Sequence, residues 1–152
     1  MMRNAKFNDM TPKRVLTRIA VRYRLSAIFA FGSRGADAAA IINRTSCPGE
    51  YSSSDIDVGV LPHQGVKMEP REKVKLTMDL EDLFRVKKVD LVVLPEADPF
   101  LAANVIRGER IYCEDEYAAD EYGLYILRRA GDLIPLEEER IRLIMGENGE
   151  SR

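Results

Sequence analysis

The chain has 152 residues, 45% hydrophobic and 32% charged, with a formal net charge of -2, which predicts a single folded domain over residues 1–152 with enough chain for a real core. With 23 basic residues against 25 acidic ones, no overall positive field holds nucleic acid without specificity, so nucleic acid is not expected as a direct substrate. No apolar run reaches the roughly 18 residues of a membrane span, MMRNAKFNDMTPKR lacks the apolar stretch of a signal peptide, and the two distant cysteines, Cys47 and Cys113, form neither a zinc cluster nor a disulfide framework, so the cytoplasm is the expected compartment.

Thr11 to Arg24 is the first predicted helix. Thr11 can cap it, Pro12 suits its first turn, and Val15, Ile19 and Tyr23, with Leu16 and Ala20 beside them, form one buried stripe. Ala27 to Phe31 reads as a short, fully buried strand that stops at Gly32-Ser33. Ala36 to Asn43 suits a short helix, and TSCPGEYSSS after it is a loop by composition. Asp55 to Leu61 resumes as a strand, with Ile56, Val58 and Val60 on one face and Asp55, Asp57 and Gly59 on the other. Pro70 opens a helix to about Arg85, on which Leu76, Leu80, Leu83 and Phe84 share a side. Lys87 to Leu94 is a third strand. Asp98-Pro99 starts a short helix that closes near Gly108, and Arg110 to Cys113 is a candidate fourth strand. From about Glu116 the chain looks helical twice over: Tyr122, Ile126 and Leu127 stripe the first helix, Leu136, Ile141, Leu143 and Ile144 the second. Residues from Gly146 onward should fray.

Three features carry chemistry. In Asp55-Ile56-Asp57 the two carboxylates point to the same face of a strand, about 7 Å apart at their alpha carbons. They repel each other, and a fold keeps them cheaply only if they reach water or a cation; a hard divalent ion binds through one or two such carboxylates plus substrate phosphates. A pair of this kind alone is equally a strand end with solvated acids. The apolar Ile56, Val58 and Val60 mark the acid face as a chosen surface, and Gly59 continues that face without a side chain, leaving room for a ligand. Asp90 is the second feature, a carboxylate inside an otherwise apolar strand, costly if buried and unpaired. If its strand lies beside that of Asp55 and Asp57, it completes a three-carboxylate site, where two metals about 3.5–4 Å apart would clamp attacking and leaving oxygens. The competing reading is a salt bridge with Lys87, Lys88 or an arginine. Third, Gly32-Ser33 follows a buried strand. Glycine permits a turn and close approach by a phosphate, the Ser33 hydroxyl and the N–H groups after it are phosphate donors, and Arg34 could add charge-assisted contacts; an ordinary strand-to-helix turn with a serine cap has the same appearance. His63 reads as an exposed loop residue, Tyr117, Tyr122 and Tyr125 as packing or interface residues. Arg107 and Arg110 could approach a nucleotide, which spacing does not show.

In this order, FAFGSR, SSSDIDVGVL and VDLVVL resemble the Gly-Ser motif, the Ser-Asp-x-Asp strand and the third-carboxylate strand of the DNA polymerase beta-like nucleotidyltransferase superfamily, in its minimal, MNT-type branch. The resemblance covers about residues 12 to 113. It implies an α/β nucleotidyltransferase fold, a small mixed β-sheet with helices packed on it, followed by a helical C-terminal extension over about 116–146. It also implies that Asp55 and Asp57 hold Mg2+ and the triphosphate of ATP. Asp90 would help bind the second metal and act on the attacking hydroxyl, and Gly32, Ser33 and Arg34 would grip the phosphates. The implied reaction is in-line attack of a hydroxyl on the alpha phosphate, releasing pyrophosphate. One departure stands out: Gly32 and Asp55 are 23 positions apart, farther than the family usually places them. The insertion, around Asn43 to Ser53, could fold away as a surface loop or cover the site. For the acceptor, the resemblance implies the antitoxin of a HEPN–MNT pair, which adds AMP to a hydroxyl of its HEPN-type toxin. Two alternatives are an antitoxin that neutralises by binding alone and a small-molecule enzyme of the aminoglycoside-modifying kind, for which 152 residues leave little room. The C-terminal stretch AADEYGLYILRRAGDLIPLEEERIRLIMG looks like the tail of such antitoxins. It is either an interaction surface or an amphipathic helix pair packed on its own domain, with Glu137 to Arg142 as a solvated face. Both homo- and hetero-oligomers are compatible with this reading.

Overall fold

A computed structural model describes residues 10–44 and 55–150, with side chains to residue 146. Cys47 and nearly all of the insertion expected around Asn43 to Ser53 lie outside the described residues. Helix α1 (Pro12–Arg22) starts where Thr11 accepts from the Arg14 N–H at 3.3 Å and Pro12 takes the first turn. It leads into β1 (Leu25–Phe31), two residues longer than its apolar run suggested. A 3-10 turn (Gly32–Arg34) follows, then α2 (Gly35–Ile42). Strand β2 (Ile56–Pro62) is followed by α3 (Pro70–Phe84), opened by a Glu69–Glu72 capping box and closed by Arg85 in the left-handed region. Then come β3 (Val89–Val93), a second 3-10 turn (Leu94–Glu96) and α4 (Pro99–Ile106), whose first N–H groups, those of Phe100 and Leu101, donate to Asp98. Strand β4 (Glu109–Cys113) and helix α5 (Glu116–Glu150) complete the chain.

The four strands form one mixed sheet in the order β3-β2-β1-β4. β1 runs antiparallel to β2 and β4; β2 and β3 are parallel. Strand alternation sends side chains to two cores. On one face Ile28, Ile56, Val58 and Val60 pack with Leu16 and Ile19 of α1, Ile42 of α2 and Leu76, Leu80 and Phe84 of α3. On the other, Phe29 and Phe31 meet Ala102 and Val105 of α4 and Ile126 and Ala130 of α5. Between α1 and α3 lies a buried polar contact that the periodicity did not reveal: Asp79 is only 4% exposed and accepts from the Tyr23 hydroxyl at 2.6 Å, with Arg22 3.6 Å away. Burial and the neighbouring carboxylate push the Tyr23 pKa up, so the phenol keeps its proton and remains the donor.

Two expectations are corrected. The C-terminal region is one helix of 35 residues that continues past Pro135, losing one backbone bond there, rather than a helix pair folded back on the domain. Its first part packs through Ala119, Ile126 and Ala130, whereas Ile134, Leu136, Ile141, Leu143, Ile144 and Met145 are all exposed. A hydrophobic stripe has the same period whether or not something covers it. The backbone is helical to Glu150; the last two residues of the stretch expected to fray, 151–152, lie outside the described residues. The second correction concerns Gly59: a β-carbon there would sit 2.2 Å from Val105 Cγ1. The missing side chain makes room for α4, not for a ligand.

Candidate functional site

The parallel pairing of β2 and β3 sets Asp57 directly opposite Asp90, while Phe31, the last residue of β1, faces Asp57 from the other side. The helical cover over Gly59 does not extend to these acids: Asp57 and Asp90 are half-buried and Asp55, just before β2, is exposed. Asp57 feels the crowding. Its partial burial, then the charge of Asp90 and a side-chain hydrogen bond to it, then the charge of Asp55, raise its pKa above the usual carboxylate range, with Lys88 opposing. Lys88 Nζ stands 3.4 Å from Asp90 Oδ1, so the salt bridge and the acid pair coexist. Gly32 closes the third side. Its φ is +74°, and a β-carbon on it would lie 2.4 Å from Asp57 Oδ2. The Gly-Ser turn therefore rests directly on the acid.

Among the described residues no three acids are gathered into a ready metal cluster; the close pair is Asp57 and Asp90, with Asp55 at the rim. This set still fits a hard cation. Its donors are all carboxylate oxygens, one of them is destabilised by its neighbour's charge, and a divalent ion such as Mg2+ needs only one or two carboxylates when phosphates supply the rest.

Beyond Gly32 the turn opens on a cleft of about 380 Å³ lined by Ser33, Gly35 and Ala36 on one side and Asn104, Arg107 and Glu109 on the other. The 3-10 turn has no side-chain cap, which leaves its first N–H groups for a ligand, while the Gly35 N–H that opens α2 donates to the Gly32 carbonyl. Arg34 does not line this cleft; its Nε lies 3.5 Å from Asp37 Oδ2. Of the two arginines whose place spacing left open, Arg107 reaches the cleft, whereas Arg110 is held by Asp120 at 2.6 Å. Asn104 and Glu109 escaped the sequence reading; the available signal was Gly108, whose β-carbon would strike the Ala30 carbonyl oxygen at 2.5 Å. His63 is partly exposed and 2.7 Å from Glu114. Tyr117 is exposed, the rings of Tyr122 and Tyr125 meet at 6.2 Å, and Arg129 stands over Tyr125. Cys113 is a half-buried free thiol. No described helix is long and apolar enough to cross a membrane.

The family described as Polymerase beta, Nucleotidyltransferase matches residues 15–117, which span the sheet and Asp55, Asp57 and Asp90. No curated protein matches the chain. Among solved structures, a toxin–antitoxin crystal structure with AMP-PNP superposes with a TM-score of 0.66 at 18% identity, over 88% of this chain and 98% of that one. The MntA–HepT toxin–antitoxin structure gives 0.63 at 17%, over 88% and 97%. A tri-AMPylated Shewanella oneidensis HEPN toxin in complex with MNT antitoxin gives 0.64 at 18%, over 88% and 96%. At these identities the likeness is one of fold.

Proposed function

The chain belongs to the polymerase beta-type nucleotidyltransferase family, and on that footing we propose that it transfers AMP from ATP to a hydroxyl of a HEPN-type toxin, for which it is the antitoxin. The observation that carries the catalytic part is the trio at one end of the strands, where β1 stops and β2 and β3 begin: Asp57 opposite Asp90, with Gly32 resting on Asp57. A protein that only binds a partner has no physical need for two carboxylates kept in mutual repulsion. The partner part is supported by the solved neighbours, one of them an AMPylated HEPN toxin with its MNT antitoxin, and by the uncovered apolar stripe on the distal half of α5.

Asp55, Asp57 and Asp90 would hold Mg2+, which neutralises the phosphates and lowers the pKa of a bound hydroxyl. Gly32 and Ser33 hold the phosphates through backbone N–H groups and the serine hydroxyl. Asp90 accepts the proton of the attacking hydroxyl. A new P–O bond forms at the alpha phosphorus, the alpha–beta bridging bond breaks, and its electron pair departs with pyrophosphate. Positioning and charge stabilisation supply most of the rate in phosphoryl chemistry of this type.

The test is transfer of label from alpha-labelled ATP to a co-expressed HEPN-type protein. We expect label on the partner with the wild type and a loss of at least about 100-fold with Asp57→Asn. Toxin neutralisation that persists in Asp57→Asn, with no label transferred even by the wild type, would replace this reading with neutralisation by binding.

A further inference from the structure

The cleft beside Gly32 and Ser33 has a second wall that the acids do not account for. Gly108 allows the turn after α4 to lie against the end of β1, since any β-carbon there would stand 2.5 Å from the Ala30 carbonyl oxygen and 2.8 Å from Phe31 Cβ. This close approach brings Asn104 and Arg107 to face Ser33, Gly35 and Ala36 across the cleft. Arg107 is exposed. It takes part in none of the ion pairs formed among the described residues, whereas Arg34 and Arg110 have carboxylate partners at 3.5 Å and 2.6 Å.

The chemistry of the walls selects the ligand. The Ser33 hydroxyl and the Asn104 amide can donate hydrogen bonds into the cleft, and Arg107 supplies a guanidinium. Among the described residues that line the cleft the one aromatic, Phe31, is 7% exposed and belongs to the core, so none of them offers a ring to stack on a base. Such walls suit phosphate oxygens. The cleft also starts where the acid pair ends, because Gly32 touches Asp57 on one side and lines the cleft on the other.

Resting on the nucleotidyltransferase reading above, the geometry points to Arg107, assisted by Asn104, as the group that binds the two terminal phosphates of the nucleoside triphosphate. When the alpha–beta bond breaks, the negative charge that grows on departing pyrophosphate faces this guanidinium. Glu109 lines the same cleft with the opposite sign and limits how tightly pyrophosphate is held.

The experiment is equilibrium binding of ATP, AMP and inorganic pyrophosphate to the full chain with Mg2+ present. Arg107→Ala should weaken pyrophosphate and ATP by about tenfold and leave AMP within about twofold. Arg107→Lys should restore part of the loss, and Glu109→Gln should tighten pyrophosphate by a few-fold. Equal losses for AMP and ATP in Arg107→Ala, or undiminished pyrophosphate binding, would overturn the assignment. The two levels separate cleanly. A wild type that binds neither ATP nor pyrophosphate overturns the nucleotidyltransferase reading and this one together. ATP binding that is lost in Asp57→Asn yet indifferent to Arg107→Ala overturns this one alone. Arg107 is exposed, so Arg107→Ala should melt within about 2 °C of the wild type.

Discussion

At the scale of single residues, the site is a compromise between stability and chemistry. Asp57 is held in a partly dry position beside a second negative charge, an arrangement that costs the fold stability unless a positive charge offsets it. Asp57→Asn should therefore raise the melting temperature by about 1–3 °C without divalent ions, and, on the proposed function, Mg2+ should stabilise the wild type but not the variant. Calorimetry with and without Mg2+ checks both; a lower melting temperature for the variant would mean that the acid pair stabilises the fold. Residue chemistry was unevenly legible. Alternation along a strand is enough to put Asp55 and Asp57 on one face. The neighbour of Asp90 depends on strand pairing, and only the sheet supplies Asp57. Arg34 was expected on the phosphates; its Nε lies 3.5 Å from Asp37 Oδ2 and it does not line the cleft, because a side chain's direction within a tight turn is not encoded by its position after Gly-Ser. Gly59 misled for a plain reason: a missing side chain reads the same whether a ligand or a helix fills the space.

At the scale of elements, that glycine fixes how α4 lies on the sheet. With a β-carbon 2.2 Å from Val105 Cγ1, Gly59→Ala must push α4 outward or twist β2, and overpacking of this kind costs about 1–3 kcal/mol. Urea denaturation should show that loss, and Val105→Ala in the same chain should recover part of it. Strictly additive losses would mean that the two sites do not meet as described. Caps and apolar runs placed every element from α1 to β4 within two or three residues, since Thr11, Pro70 and Asp98 act through local geometry. The end of the chain was harder to read. Whether a periodic stripe after Gly131 and Pro135 turns back or runs on depends on tertiary contacts, and the helix runs on.

At the scale of the molecule, the domain and the distal part of α5 are energetically separable. Buried contacts of α5 end at Ala130, and a helix of 35 residues spans about 50 Å. A chain ended after Ile134 should keep its melting temperature within about 3 °C and its ATP affinity, but lose co-purification with a HEPN-type partner. Retained co-purification would place the partner elsewhere on the domain. The parallel pairing of β2 with β3 has a last consequence, for folding fidelity. Side chains alternate, so slipping β3 by one residue would carry Val89 and Val93 out of the core as it carried Asp90 away from Asp57. The oily side of the strand thus acts as a proofreader for the acidic side: a chain that mispairs here is penalised in stability before it can persist as an inactive copy.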